Sequence, residues 1–331
     1  MTHHRSSFTR RAALVMGVAA LATPAVLRAN TPRLTRLVLQ TPGSGPGILL
    51  AHARAIGAFD GVADAVDLPI WSGFDEMRAG FVSGKVPVTV MPTQGAASLY
   101  NRGLDLRMIA TLTDGHCGLV ARDIAGCDIA DLRGRRVALS GINGFTGHMM
   151  RLGLGAADIG PDAPDLLPAA THMEAGQLLL AGRADAALIA EPAATAVLRR
   201  ARDDGQALHR GVQMKEVLGR ITGLRPVLPQ ACLAIRSDHA AEHPWLAGAL
   251  HDALVRAAAS LNADPGAAAG HAGALLDRAP ALLEEAIPFA SISVRAASRA
   301  RPEIEALYHA LLAADPGIIG GRLPDDELYA L

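Results

Sequence analysis

Glycine-containing turns that close short apolar runs are where this 331-residue sequence can grip a small molecule. The first, Gly43-Ser44-Gly45-Pro46-Gly47, follows the run Leu34 to Gln40. It can present backbone N–H groups and the Ser44 hydroxyl to an oxyanion or polar group. It lacks the Gly-Lys-Ser/Thr of a phosphate loop and the spacing of a dinucleotide fingerprint. Its other reading is a bare turn in which Ser44 caps a helix. Thr93-Gln94-Gly95 is a second such turn, where Gln94 can donate and accept and Gly95 admits close backbone approach. Asn143, Phe145 and Thr146 belong to a third, with Thr146 either a ligand contact or a helix cap. Glu191, ending an apolar run just before Pro192, is the charged candidate, either a ligand contact or a solvated acid. His116 is either a ligand contact or a satisfied surface histidine. Trp71 is either a flat pocket wall or ordinary packing. The candidate ligand contacts are therefore Ser44, Gly45, Trp71, Thr93, Gln94, Gly95, His116, Asn143, Phe145, Thr146 and Glu191.

Other chemistry is less well served. His116, His148 and His172, with Met149, Met150 and Met173 beside the last two, invite a soft-metal or metal-chelate reading, since imidazole and thioether suit Cu or Ni. Successive helical side chains point about 100° apart, however, so these methionines read first as core. There is no Gly-x-Ser-x-Gly elbow and no His-Glu-x-x-His pair, so no catalytic residue is assigned and the protein is not expected to be an enzyme. No cofactor is implied. Cys117, Cys127 and Cys232 form no Cys-x-x-Cys pair; one disulfide with one thiol, or three buried thiols, both remain open. His116 and Cys117 are adjacent, and on a strand they would point to opposite faces, which argues against a dyad.

These residues must be positioned by alternating strands and helices. Strands are expected at Leu34 to Gln40, Val62 to Leu68, Val86 to Met91, Arg107 to Thr111, Gly118 to Arg122, Val137 to Ser140, Ala186 to Ala190 and Ala231 to Arg236. Helices are expected at Ile48 to Phe59, Phe74 to Val82, after Pro92, from His148, at Met173 to Ala181, after Pro192, and at 240–262, 266–277, 280–287 and 302–314. Ala-rich stretches favour helix, and strands alternating with helices argue for parallel-type α/β layers. In such sheets ligands bind beyond the C-terminal strand ends, where each of the turns above is placed.

The N-terminal 29 residues read as an export label: Arg10-Arg11, an uncharged run from Ala12 to Val26, then Arg28-Ala29-Asn30. The paired arginines resemble the twin-arginine class, with cleavage expected after Ala29 and an uncleaved anchor as the alternative. Taking the leader's four arginines from a formal charge of −1 leaves −5. With no basic stripe, that balance argues against nucleic acid as a partner. No later run of eighteen apolar residues exists, so a polytopic membrane protein is not expected.

Several blocks together carry a resemblance. They are the strand Val86-Pro87-Val88-Thr89-Val90 with its Gly/Ala-rich turn, Gly118-Leu119-Val120-Ala121-Arg122-Asp123, and Asp131-Leu132-Arg133-Gly134-Arg135-Arg136-Val137-Ala138. The most specific runs from Glu174-Ala175-Gly176-Gln177 through Ala181-Gly182-Arg183-Ala184-Asp185 to Ala190-Glu191-Pro192. A return strand, Cys232 to Ser237, precedes His243-Pro244-Trp245. The chain resembles the periplasmic solute-binding proteins of ABC importers, of the nitrate/taurine/sulfonate type, over most of residues 34 to 265. That resemblance implies an α/β fold, a two-lobed periplasmic-binding-protein type II clamshell with a hinge of two crossover strands. One lobe would hold 30–112 and 230–331, the other 113–229. It also implies a periplasmic monomer that captures a small anionic or polar solute and delivers it to an ABC permease with its ATPase. A ligand-sensing partner of a membrane sensor is the alternative use of the same clamshell.

Overall fold

The computed structural model describes residues 32–329, and the expected leader with its cleavage position lies outside the described residues. The first part of the chain alternates β1 (Leu34–Gln40), α1 (Gly45–Ala55), β2 (Ala63–Asp67), α2 (Phe74–Val82), β3 (Val88–Pro92), α3 (Thr93–Asn101) and β4 (Leu106–Thr113). There follow β5 (Cys117–Arg122), β6 (Arg136–Ser140), α4 (Phe145–Ala156), β7 (Asp165–Ala169), α5 (His172–Leu180), β8 (Ala186–Ala190), α6 (Ala193–Asp203), β9 (Leu208–Gln213) and α7 (Met214–Thr222). The last part holds β10 (Ala231–Arg236), α8 (Ser237–Glu242), α9 (Leu246–Ala263), α10 (Pro265–Leu276), α11 (Pro280–Ala290), β11 (Ile292–Ala296) and α12 (Ala297–Ala314).

These strands make two sheets, in the orders β11-β4-β10-β3-β1-β2 and β7-β6-β8-β5-β9. The expected parallel pairing holds for β1 with β2 and β3, and for β6 with β7 and β8. Both sheets are nevertheless mixed. β10, on which the chain returns from the second sheet, inserts antiparallel between β3 and β4. β5, on which the chain enters the second sheet, runs antiparallel to β8 and β9. A strand reached directly from the other sheet has no crossover helix to restore its direction. The two passages are Asp114–His116 and residues 223–230, and the Leu228 N–H donates to the Asp114 carbonyl at 2.9 Å across them.

Three strands that the sequence did not signal, β7, β9 and β11, are all sheet edges. Edge strands bury less and tolerate polar residues and proline; β7 carries Pro168 and β9 reads Leu-His-Arg-Gly-Val-Gln. By contrast every residue of β8 is buried, as a central strand covered on both faces demands. The helix expected over 240–262 is divided at His243-Pro244 into α8 and α9, because proline cannot continue the hydrogen-bond ladder. Helices α5 and α6 pack so closely that a Cβ on Gly176 would fall 2.2 Å from a Val197 methyl.

The first sheet is covered by α1, α9 and α10, whose Leu49, Leu50, Leu250, Leu254 and Ala269 pack against Leu37, Leu39 and Val90. A second apolar cluster runs from Met91 and Met108 of the first sheet to Leu119, Leu139 and Leu188 of the second. α12 supplies Ile304, Leu307, Tyr308 and Leu311 to it. The sheets are thus joined by apolar contact as well as by the two chain passages. Removing a buried leucine from such a cluster costs about 2–5 kcal/mol. No described helix is long and apolar enough to cross a membrane.

Candidate functional site

The candidates fall at the C-terminal edges of the two sheets. On the first sheet, β1 leads into the turn that starts α1. Ser44 occupies the N-cap position with extended backbone, yet its side chain makes no capping bond. Gly45 is buried against Ala290 and Ile292. β3 leads without a loop into α3. There the Thr93 N–H donates to the Gln230 carbonyl at 3.1 Å, and its hydroxyl donates to the Pro229 carbonyl at 2.6 Å. The Tyr308 hydroxyl donates to the Thr93 carbonyl at 2.7 Å. Thr93 is fully buried, so much of its polarity serves the return of the chain into β10. Gln94 is 8% exposed and its Oε1 has no partner. Gly95 is half-buried beside it. Trp71 donates its indole N–H to the Val90 carbonyl at 3.1 Å and stacks, tilted, on Phe74 with centroids 5.4 Å apart.

On the second sheet, the turn after β6 begins α4 at Phe145, three residues before the expected start. Gly144 is the N-cap, so Thr146 sits inside the first turn and does not cap the helix. Asn143 is exposed, while Phe145 and Thr146 are half-buried. The turn is tight: Gly144 and Gly147 both donate to the Gly141 carbonyl, and a Cβ on Gly147 would lie 1.9 Å from the Ile142 carbonyl oxygen.

His116, in the first passage between the sheets, is buried and its Nδ1 has no partner. Burial pushes this imidazole down to about 4, and His172 adds to the effect. His172 is the first residue of α5, its Nδ1 3.2 Å from the Ser140 hydroxyl, and burial lowers its pKa too. The His116 carbonyl accepts the Glu191 N–H at 2.9 Å, which ties the passage to the end of β8.

Glu191 is more committed than its sequence position suggested. One carboxylate oxygen accepts the Thr195 N–H and hydroxyl, at 3.1 and 2.8 Å, and the other is paired with Arg210. The Arg210 guanidinium also lies 3.7 Å from the ring centroid of Phe289 on α11. Glu191 therefore caps α6 and links the second sheet to a helix of the first, rather than standing as a free charge. The metal reading fares differently again. His148 Nε2 faces Asp315 at 3.4 Å, beyond the end of α12, and among the described residues His116, His148 and His172 do not gather into a group of three close ligands. Cys117, Cys127 and Cys232 are three buried free thiols. Burial, then Glu191, raises Cys117 to about 12.

Two residues missed from the sequence complete the edge between the sheets. Thr111 pairs with Cys232 in the antiparallel β4–β10 ladder, so continuing that register places Thr113 opposite Gln230. Thr113 Oγ1 and Gln230 Oε1, like Gln94 Oε1 and His116 Nδ1, are buried without partners. The available signal was a polar residue at each end of an apolar strand where the chain changes sheet. Arg210 had no such signal, since it lies on the unpredicted edge strand β9. A shallow depression of about 500 Å³, lined by Ile142, Arg151 and Asp165 among others, sits beside β7 and apart from these atoms.

Among solved structures, the chain is similar to an ABC transporter protein from Parabacteroides distasonis, with 20% identity and a TM-score of 0.74 over 90% of this chain and 99% of that one. It is similar to the alkanesulfonate-binding protein SsuA from Xanthomonas axonopodis pv. citri bound to MOPS (14% identity, TM-score 0.65, 90% of this chain and 98% of that one). It is also similar to the periplasmic nitrate-binding protein NrtA from Synechocystis (14%, 0.60, covering 75% and 69%). At these identities the likeness establishes the fold, the two-lobed periplasmic-binding-protein clamshell. No curated protein matches the sequence. Residues 61–270, more than half of the chain, match the family described as "ABC transporter, phosphonate, periplasmic substrate-binding protein". The chain belongs to that family, the periplasmic substrate-binding components of ABC importers.

Proposed function

We propose that this protein captures a small organic solute with an anionic or strongly polar head, a sulfonate, phosphonate or carboxylate, between its two sheets. It then delivers the solute to an inner-membrane ABC permease powered by its ATPase. The lobes would be residues 30–112 with 230–331, and 113–229, in keeping with the division of strands between sheets. Export through the twin-arginine leader would place it in the periplasm.

The observation that carries this reading is a set of buried, unpartnered polar atoms: Thr113 Oγ1, His116 Nδ1 and Gln230 Oε1 in or beside the passages between the sheets, and Gln94 Oε1 in the first turn of α3. Each unmade bond of this kind costs about 1–3 kcal/mol, which a bound polar solute returns. Threonine hydroxyls and a neutral imidazole can donate to an oxyanion, and glutamine can turn either end of its amide to the ligand. The first turns of α1, α3 and α4 carry no side-chain cap, so backbone N–H groups can add to the grip.

Closure follows from contacts made to both lobes, which favour the closed population. Polar contacts already bridge the layers at Lys215–Ser291 (2.9 Å) and Arg202–Glu285 (3.1 Å). The test is thermal unfolding against alkanesulfonates, alkylphosphonates, aromatic carboxylates and nitrate. A ligand that binds only the folded state raises the midpoint in proportion to its concentration over Kd. One class is expected to do so, and Gln94→Ala and Thr146→Val are each expected to weaken it by about tenfold, one lost hydrogen bond. A panel without any shift, or a shift indifferent to both substitutions, would refute the assignment.

A further inference from the structure

At the end of β10 away from the candidate site, α8 carries His239, Glu242 and, immediately after its last residue, His243. The spacing i, i+3, i+4 sets all three on one helical face. A ligating atom from each lies within 4.8 Å of the others. The two imidazoles stand edge to face with centroids 4.9 Å apart. His239 Nε2 is buried and has no hydrogen-bond partner, an arrangement that a protein-only network leaves costly. The His243 N–H donates to the His239 carbonyl at 3.1 Å, and Pro244 ends the helix there, so the position of His243 relative to His239 is fixed by backbone rather than by side-chain chance.

We propose that His239, Glu242 and His243 form a binding site for one divalent transition-metal ion of the Zn²⁺ class. Two imidazoles and one carboxylate are borderline ligands that suit Zn²⁺, Ni²⁺ or Cu²⁺, whereas Ca²⁺ and Mg²⁺ prefer all-oxygen shells. Metal binding requires neutral imidazoles. Glu242 is exposed, so the remaining coordination positions open to water. A helix as short as α8 is marginal by itself, and a metal spanning a full turn would brace it. This site is separate from His116, His148 and His172 and from the proposed solute site, and it stands or falls independently of that function.

The experiment is calorimetric titration of the untagged full chain with ZnCl₂. The double substitution His239→Ala/His243→Ala is expected to lose on the order of a hundredfold in affinity, and Glu242→Gln about tenfold. Glu242→Gln keeps both imidazoles and alters only an exposed side chain, so it reports on the site even if the double variant folds poorly. His251→Ala, on α9, is expected to bind as the parent does. Absence of Zn²⁺ binding in the parent, or unchanged affinity in both the double variant and Glu242→Gln, would overturn the proposal.

Discussion

Acid should destabilise this protein in a manner traceable to a single imidazole. His116 is buried in the passage between the sheets, and its pKa falls from the usual 6.5 to about 4, by burial first and His172 second. As pH drops through 6.5 the unfolded chain takes up a proton at this position, while the folded chain does so only near 4. Between those values the unfolded state binds more protons, so stability falls with falling pH and is flat above about pH 7. At pH 5 the linkage amounts to about 2 kcal/mol, rising toward about 3 kcal/mol below pH 4. With a urea slope of about 3 kcal/mol per molar, the midpoint should fall by roughly 0.7 M between pH 7.5 and pH 5 on this account alone. His172 and His52 are also lowered by burial and add to the total slope. The informative quantity is therefore the difference between the parent and His116→Gln, which keeps a neutral polar group at every pH. Urea titrations of both at pH 7.5, 6 and 5 measure it. Parallel pH profiles would refute the argument, because they would mean that His116 is solvated or charge-paired in the folded state.

Glu191→Gln should cost about 3 kcal/mol in urea unfolding, since it strips Arg210 of its charge partner at a nearly buried position; a loss below about 1 kcal/mol would mean that Arg210 finds water instead. Gly147→Ala, whose new methyl would lie 1.9 Å from the Ile142 carbonyl oxygen, should destabilise by about 2 kcal/mol and displace the turn that presents Phe145 and Thr146. An unaltered unfolding midpoint in that variant would count against the turn geometry. Cys117, Cys127 and Cys232 should be inert to a thiol reagent in the native protein and all three titratable after denaturation without reductant, because burial raises Cys117 to about 12 and Cys127 to about 11. Fewer than three thiols in the denatured chain would indicate a disulfide.

Much of the architecture was legible because central elements carry strong periodic signals. β8 is apolar throughout and buried on both faces, and the strand-to-helix junctions after β1, β3 and β6 are glycine-marked. The edge strands β7, β9 and β11 were not legible, because a half-paired strand need not be apolar. The family blocks around Asp131–Ala138 and Glu174–Pro192 were equally plain, and the match over residues 61–270 agrees with them.

The candidate site divides in the same way. The sequence alone determined which strand-to-helix junctions hold Gln94, Phe145 and Thr146, since glycine placement is a local steric matter. It also determined the α/β class, through short-range periodicity. Only tertiary structure decided that Glu191 is taken by Arg210 and Thr195, that Thr93 anchors the return into β10, and that His148 meets Asp315. It likewise decided that Thr113, His116, Gln94 and Gln230 each leave a buried polar atom unsatisfied. Apart from Thr195, which is four positions from Glu191, the partners in these contacts lie 19 to 167 positions apart in the chain. No local rule specifies which of several polar residues will meet when two sheets close on each other.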